Sequence, residues 1–169
     1  VSVAEENKHE GTTDWLLTKV KTDTCRISVP YQETFLCRST EIEGYVSKTS
    51  YRVGDRVDVF VSTHPQSSFT VDIYRMGYYG GKGGRHIKSL GPFNGIAQPT
   101  PDDGELNLRE CKWQKSFDFA ISEDWVSGVY LGKLTATTTG FQSYVIFIVK
   151  DDRKADFIFQ CSDLTWQSY

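Results

Sequence analysis

From residue 41 onward, apolar and polar residues alternate in short runs, the pattern of strands buried on one face. Residues 42–47 read as the first strand. A turn follows at 51–55, where Gly54 is free to take a positive φ. Val57, Val59 and Val61 alternate with Asp58, Phe60 and Ser62, and His64 and Pro65 end that strand. Phe69, Val71 and Ile73 alternate with Thr70, Asp72 and Tyr74 in the next. A glycine-rich turn over residues 77–84 separates it from an extended stretch at 85–90. Residues 91–105 hold three of the five prolines and read as a long loop. Further strands are predicted over 111–121, 129–136 and 142–150, with a corner at 122–128 and a turn at 138–140. The last strand is apolar at every position from Tyr144 to Val149, which predicts a central place in its sheet.

Seven or eight short strands at regular spacing predict an all-β chain, an immunoglobulin-like antiparallel β-sandwich over residues 41–150. Tyr130 follows the corner at 122–128. It is placed like the corner tyrosine of an immunoglobulin-like sandwich, or it is an ordinary core aromatic; both readings stay open. Residues 1–40 are weakly patterned and read as an N-terminal arm. Within it, 13–20 is either a short helix with Trp15, Leu16 and Val20 on its apolar side or an irregular segment lying along the domain. Asp151, Asp152, Arg153 and Lys154 form a charged linker. Beyond it, Phe157, Ile158 and Phe159 make an apolar run followed by a polar loop, as when a buried parallel strand opens an α/β unit. Either this run packs on the sandwich as an extra strand, or the natural chain continues into an α/β domain. The second is the expectation.

Composition narrows the function. The chain has 169 residues, with 19 Lys and Arg against 22 Asp and Glu, a net charge of -3. That balance offers no field for nucleic acid or anionic lipid. No apolar run approaches the ~20 residues of a membrane-spanning helix. Residues 1–10 are polar and lack the apolar core of a signal peptide, and secretion stays open. The four cysteines form no Cys-x-x-Cys, and no histidine stands at a zinc-like spacing. Cys25 and Cys37 are close enough in sequence to close a short loop, as a disulfide or as two thiols. Cys111 and Cys161 read as buried thiols.

Candidate chemistry inside the chain is sparse. The glycine-rich turn is no phosphate loop, because neither Ser nor Thr follows Lys82. It reads as a mobile inter-strand loop, with Tyr78, Tyr79 and Lys82 as a candidate contact tip for a neighbouring domain, a subunit or a sugar. His9, His64 and His86 are scattered, and no Gly-x-Ser-x-Gly elbow is present, so no hydrolase triad is expected. The acidic turns at Asp102, Asp103 and Glu105 and at Asp151 and Asp152 lack the alternating donors of an EF-hand. Tyr78, Tyr79, Trp113 and Trp125 together suggest a stacking platform for sugar rings. The alternative reading is therefore a free-standing carbohydrate-binding or adhesive extracellular sandwich.

Four stretches carry a resemblance. They are Ile-Glu-Gly-Tyr-Val-Ser-Lys-Thr-Ser at 42–50, Asp-Ile-Tyr-Arg-Met-Gly-Tyr-Tyr-Gly-Gly at 72–81, Trp-Val-Ser-Gly-Val-Tyr-Leu-Gly-Lys-Leu at 125–134 and Phe-Ile-Phe-Gln-Cys-Ser-Asp-Leu-Thr-Trp-Gln-Ser-Tyr at 157–169. Across residues 41–169 the chain resembles the N-terminal β-sandwich portion of the large (β) subunit of N,N-dimethylformamidase and its relatives. The resemblance implies a sandwich that precedes a catalytic domain similar to class I glutamine amidotransferases, with residues 151–169 as linker and first strand. It implies C–N bond hydrolysis of a small amide by an iron held by two tyrosines and a glutamate. It makes Tyr169 a candidate for the first tyrosine ligand. Ferric iron polarises a carbonyl and activates water, and phenolate and carboxylate are hard donors that suit it. One phenol cannot hold iron, so the expectation for this chain alone is no cofactor and no catalysis. The implied partners are the C-terminal catalytic domain, with a small subunit or a second copy as further possibilities. The implied compartment is the cytoplasm.

Overall fold

The computed structural model describes residues 1–22, 24–25, 35–36 and 38–162. Its frame is a β-sandwich, as the alternation predicts. The larger sheet has the order β4 (Ser50–Tyr51), β10 (Gln142–Val149), β9 (Gly128–Ala136), β6 (Ser68–Met76) and β7 (Gly84–Asn94). The smaller has the order β3 (Glu43–Val46), β5 (Arg56–Ser62) and β8 (Phe117–Ala120). All pairings are antiparallel except β4 with β10, which is parallel. In the arm, β1 (Thr24–Cys25) and β2 (Phe35–Leu36) form a separate antiparallel ladder. The pair Cys25 and Cys37 lies outside the described side chains.

Period two decides what is inside. Val57, Val59 and Val61 of β5 face Phe69, Val71 and Ile73 of β6 across one hydrophobic core. Val145, Phe147 and Val149 join from β10, while Ile146 and Tyr144 point the other way. β10 is thus next to the sheet edge, not at its centre; β9 holds the central place. At one end of the core, Trp125 stacks on Tyr130 at 5.0 Å and Tyr130 on Phe147 at 5.5 Å. Between the sheets' far edges, Phe93 stacks on Phe117 at 4.2 Å.

Two strand boundaries differ from the expectation. β7 runs on to Asn94, through Gly91 and Pro92. Proline is tolerated because β7 is the edge strand and needs no donor on its outer side. Gly91 takes φ +102 where the register shifts opposite Phe69 and Val71. β8, conversely, begins only at Phe117. Residues 113–114 are held by side chains instead of a ladder: Trp113 Nε1 donates to the Pro99 carbonyl at 2.8 Å, and Gln114 N to Gln98 Oε1 at 3.2 Å.

The arm is an irregular segment over 13–20, not a helix. Its helix lies earlier, α1 (Val3–Glu6), closed by a capping box in which Ser2 Oγ accepts from Glu5 N and Glu5 Oε2 accepts from Ser2 N. Further on, outward side chains of the large sheet take the carbonyls a helix would need. Lys133 Nζ donates to Asp14 O and Leu16 O at 2.7 and 2.9 Å, and Tyr144 Oη donates to Trp15 O. The arm thereby covers the outer face of β6, β9 and β10. Burial, with the charges of Asp72 and Asp14, pushes the Tyr74 phenol up to about 12.

Tyr130 Oη donates to Val126 O at 2.7 Å, tying the corner to β9. Arg75 Nε donates to the same carbonyl at 3.2 Å, so it keeps a partner when the phenol is lost. Tyr130→Phe is therefore expected to cost only about 1 kcal/mol in urea unfolding. Trp125→Ala, which empties the stacked end of the core, is expected to cost about 3–5 kcal/mol.

Candidate functional site at the end of the sandwich

The C-terminal end of β6, the start of β7, the corner before β9 and the exit of β10 meet at one end of the sandwich. Register requires it: Met76 pairs with Gly84, Arg75 with Tyr130, and Val149 with Gly128. Arg75 is the inward-facing residue where β6 leaves the core. Its side chain is buried, and its guanidinium is spent on fixed acceptors. Nε donates to Val126 O, Nη2 to Ser127 O at 2.7 Å, and Nη1 to Tyr79 Oη at 2.8 Å. The backbone of Gly128 runs so close that an added Cβ would meet Arg75 Nη2 at 3.0 Å.

The glycine-rich loop between β6 and β7 is tied down at this end. Tyr79 is 2% exposed and sits at φ +40, between Gly80 and Gly81 and the end of β6. Its hydroxyl accepts from Arg75 and donates to Glu6 Oε1 at 2.7 Å. Arg85 Nε donates to the same carboxylate oxygen at 2.7 Å. Asn7 Oδ1 accepts from the backbone of Tyr78 at 2.6 Å and of Tyr79 at 3.2 Å. Trp15 Nε1 donates to Lys82 O at 3.0 Å, with its ring against Gly83 and Gly84. The expected mobile loop is thus a loop pinned by the arm.

Three residues were expected at the tip of this loop, and the structure separates them. Tyr78 is 72% exposed and Lys82 is exposed, whereas Tyr79 is the buried anchor. Trp113 and Trp125 are buried too, Trp125 within the core. The stacking platform therefore does not form, which removes the aromatic basis of the sugar-binding alternative. Cys111 is exposed, contrary to the buried thiol expected there. Glu6, Asn7 and Arg75 carry the site and were missed. The first two sit in a polar stretch without periodicity, and the third stands in the inward phase of β6, in step with Phe69, Val71 and Ile73, a signal that the alternation carried.

After β10 the chain is held to the same end. Asp152 pairs with Arg52, and Arg153 Nη2 donates to Ser127 Oγ at 2.8 Å. Residues 155–162 pair with no sheet, so the run is not an extra strand of the sandwich. Phe157, Ile158 and Phe159 are 93, 96 and 83% exposed. A hollow of about 810 Å³ lies between this segment and the sandwich end, with Arg75, Ser127, Gly128 and Val149 in its wall.

This geometry defines a β-sandwich module whose chemistry-bearing residues gather at its exit end. Residues 70–169 match the family described as N,N-dimethylformamidase beta subunit-like, C-terminal, and the chain belongs to that family. No curated protein matches it. The match carries the C-terminal description and begins inside β6, which differs slightly from the N-terminal placing expected for the sandwich. No helix among the described residues is long and apolar enough to cross a membrane.

Among the described residues no three His, Cys, Asp or Glu residues gather as metal ligands. The pair of Tyr79 and Glu6 offers phenol and carboxylate, but Arg75 and Arg85 face it with two positive charges, an environment for an anion. Tyr169 lies outside the described residues.

Burial alone would raise the pKa of Glu6. The hydrogen bonds from Tyr79 and Arg85 and the charges of Arg85 and Arg75 outweigh it and hold the carboxyl below its usual range. His9 Nε2 lies 4.0 Å from Glu6 Oε2. Burial first, then the bond to Glu6, pushes the Tyr79 phenol up. A carboxyl whose folded pKa is lowered binds its proton more readily in the unfolded chain. Its stabilisation is complete above the unfolded value of ~4.3 and is lost as pH falls through the folded one. Urea midpoints of the wild type are expected to fall as pH drops below about 5. Glu6→Gln is expected to flatten that fall measurably; an identical fall would contradict the role given to Glu6.

Proposed function

We propose that this chain is the non-catalytic sandwich of an N,N-dimethylformamidase-like amidohydrolase, bracing a catalytic domain of the same protein at its exit end. The observation that carries this reading is the family match over residues 70–169, which spans the pinned loop, the corner and the tail in one region. The bare apolar run at Phe157–Phe159 supports it, because three consecutive large apolar side chains in water call for a covering partner. The sandwich is further read as immunoglobulin-like. Its first edge divides between the sheets as β3 and β4, β4 runs parallel to β10, and Tyr130 bonds the corner backbone.

In this reading hydrolysis of the small amide is carried by iron held outside the described residues, with Tyr169 as its proposed first ligand. The sandwich contributes position, not reacting groups. The test uses the full-length protein that carries this sequence, loaded with iron. It is expected to bind iron and release an amine from a small tertiary formamide, and Tyr169→Phe is expected to lose both. A folded, iron-treated full-length protein with neither property would overturn the reading. The 169-residue chain alone is expected to release no amine with ferric iron; release by it would refute the non-catalytic role.

A further inference from the structure

The carboxylate of Glu6 sits in a receptor that the sandwich builds from a distant part of the chain. Arg75, Tyr79 and Arg85 come from β6, the loop and β7, and Glu6 from a helix of four residues. That helix is far too short to hold itself in water. Part of the receptor has partners of its own besides Glu6. Arg75 is oriented by the carbonyls of Met76, Val126 and Ser127, and it in turn positions the Tyr79 hydroxyl. Two guanidiniums and a phenol then converge where a carboxylate stands, with Glu6 1% exposed. Arg75 and Arg85 would confront each other across that space with no anion between them if it were empty. Guanidinium groups pair with carboxylates through charge-assisted hydrogen bonds, so the chemistry of the space is specific.

We propose that this is a carboxylate-binding site, filled in cis by Glu6 as a tethered ligand. The N-terminal arm is then a removable latch on the glycine-rich loop. Occupation by Glu6 brings Asn7 onto the amides of Tyr78 and Tyr79 and leads the chain on to Trp15 at Lys82. Withdrawal of Glu6 frees the loop and opens the site to another carboxylate. The inference concerns the arm and loop alone and stands apart from the iron and amide reading.

Chemical rescue tests it. Glu6→Ala in the full chain leaves a carboxylate-sized hole. Acetate is expected to raise the midpoint of thermal unfolding of this variant saturably, by about 2–4 °C. Acetamide, which has the same shape without the charge, is expected to give no such rise. Neither is expected to shift the wild type, whose site is occupied, nor the double variant Glu6→Ala with Arg85→Ala. An equal acetate shift in the wild type, or none in Glu6→Ala, would overturn the proposal. A second variant covers the case in which Glu6→Ala does not fold. In Glu6→Gln, hydrogen exchange at the amides of Tyr78 and Tyr79 is expected to speed up by about tenfold or more, with core strands unchanged. Unchanged exchange there would count against the latch.

Discussion

A buried guanidinium must find acceptors, because an unpaired charge in a core costs several kcal/mol. Arg75 stands where β6 leaves the core, and the surrounding chain is arranged to satisfy it. The corner before β9 turns its Val126 and Ser127 carbonyls inward. Gly128 supplies the backbone room, and the loop supplies the Tyr79 hydroxyl. Tyr79 then needs an acceptor of its own, and Glu6 provides it from the arm. A single cation thus connects corner, loop and N-terminal arm. That chain of need explains why Tyr79 is held at a positive φ that non-glycine residues rarely adopt.

The frame of the molecule was legible because it rests on period two. Val57, Val59, Val61, Phe69, Val71 and Ile73 announce their inward face by alternation alone, and each is buried. The corner at 122–128 was legible as turn chemistry followed by a strand, whereas the sequence left Tyr130 open between a corner tyrosine and a core aromatic. Gly91 and Pro92 signal a break that stops the predicted strand at residue 90, whereas an edge strand accommodates both. The arm was illegible for another reason. Its order comes from single long-range bonds, such as Asn7 to the loop amides and Lys133 to Asp14 and Leu16, and such bonds leave no periodic trace. Aromatic residues misled in the opposite direction: Tyr79, Trp113 and Trp125 looked available for contact, and each is spent within the fold.

The family match takes in both edges of the sandwich, including the end where the polar groups gather. The matched region begins in β6 and includes the loop, the corner and the apolar run at Phe157–Phe159. The opposite edge, where Phe93 stacks on Phe117, is closed by its own aromatic contact. In the proposed assignment, the sandwich offers a rigid end to a neighbouring domain, and the arm stiffens that end by clamping the loop. Tyr78 remains exposed on the clamped loop, and the tail borders a hollow walled by Arg75, Ser127 and Gly128. The site is anionic in its preference and structural in its consequence.

Arm, loop and sandwich end form one cooperative unit through Glu6 and Tyr79. A double-mutant cycle on urea stability, using Glu6→Gln, Tyr79→Phe and both together, tests it most directly. The account predicts that the two changes are strongly non-additive, with a coupling of about 1 kcal/mol or more. Additivity within about 0.5 kcal/mol would mean that the arm and the loop are held independently, and would contradict it.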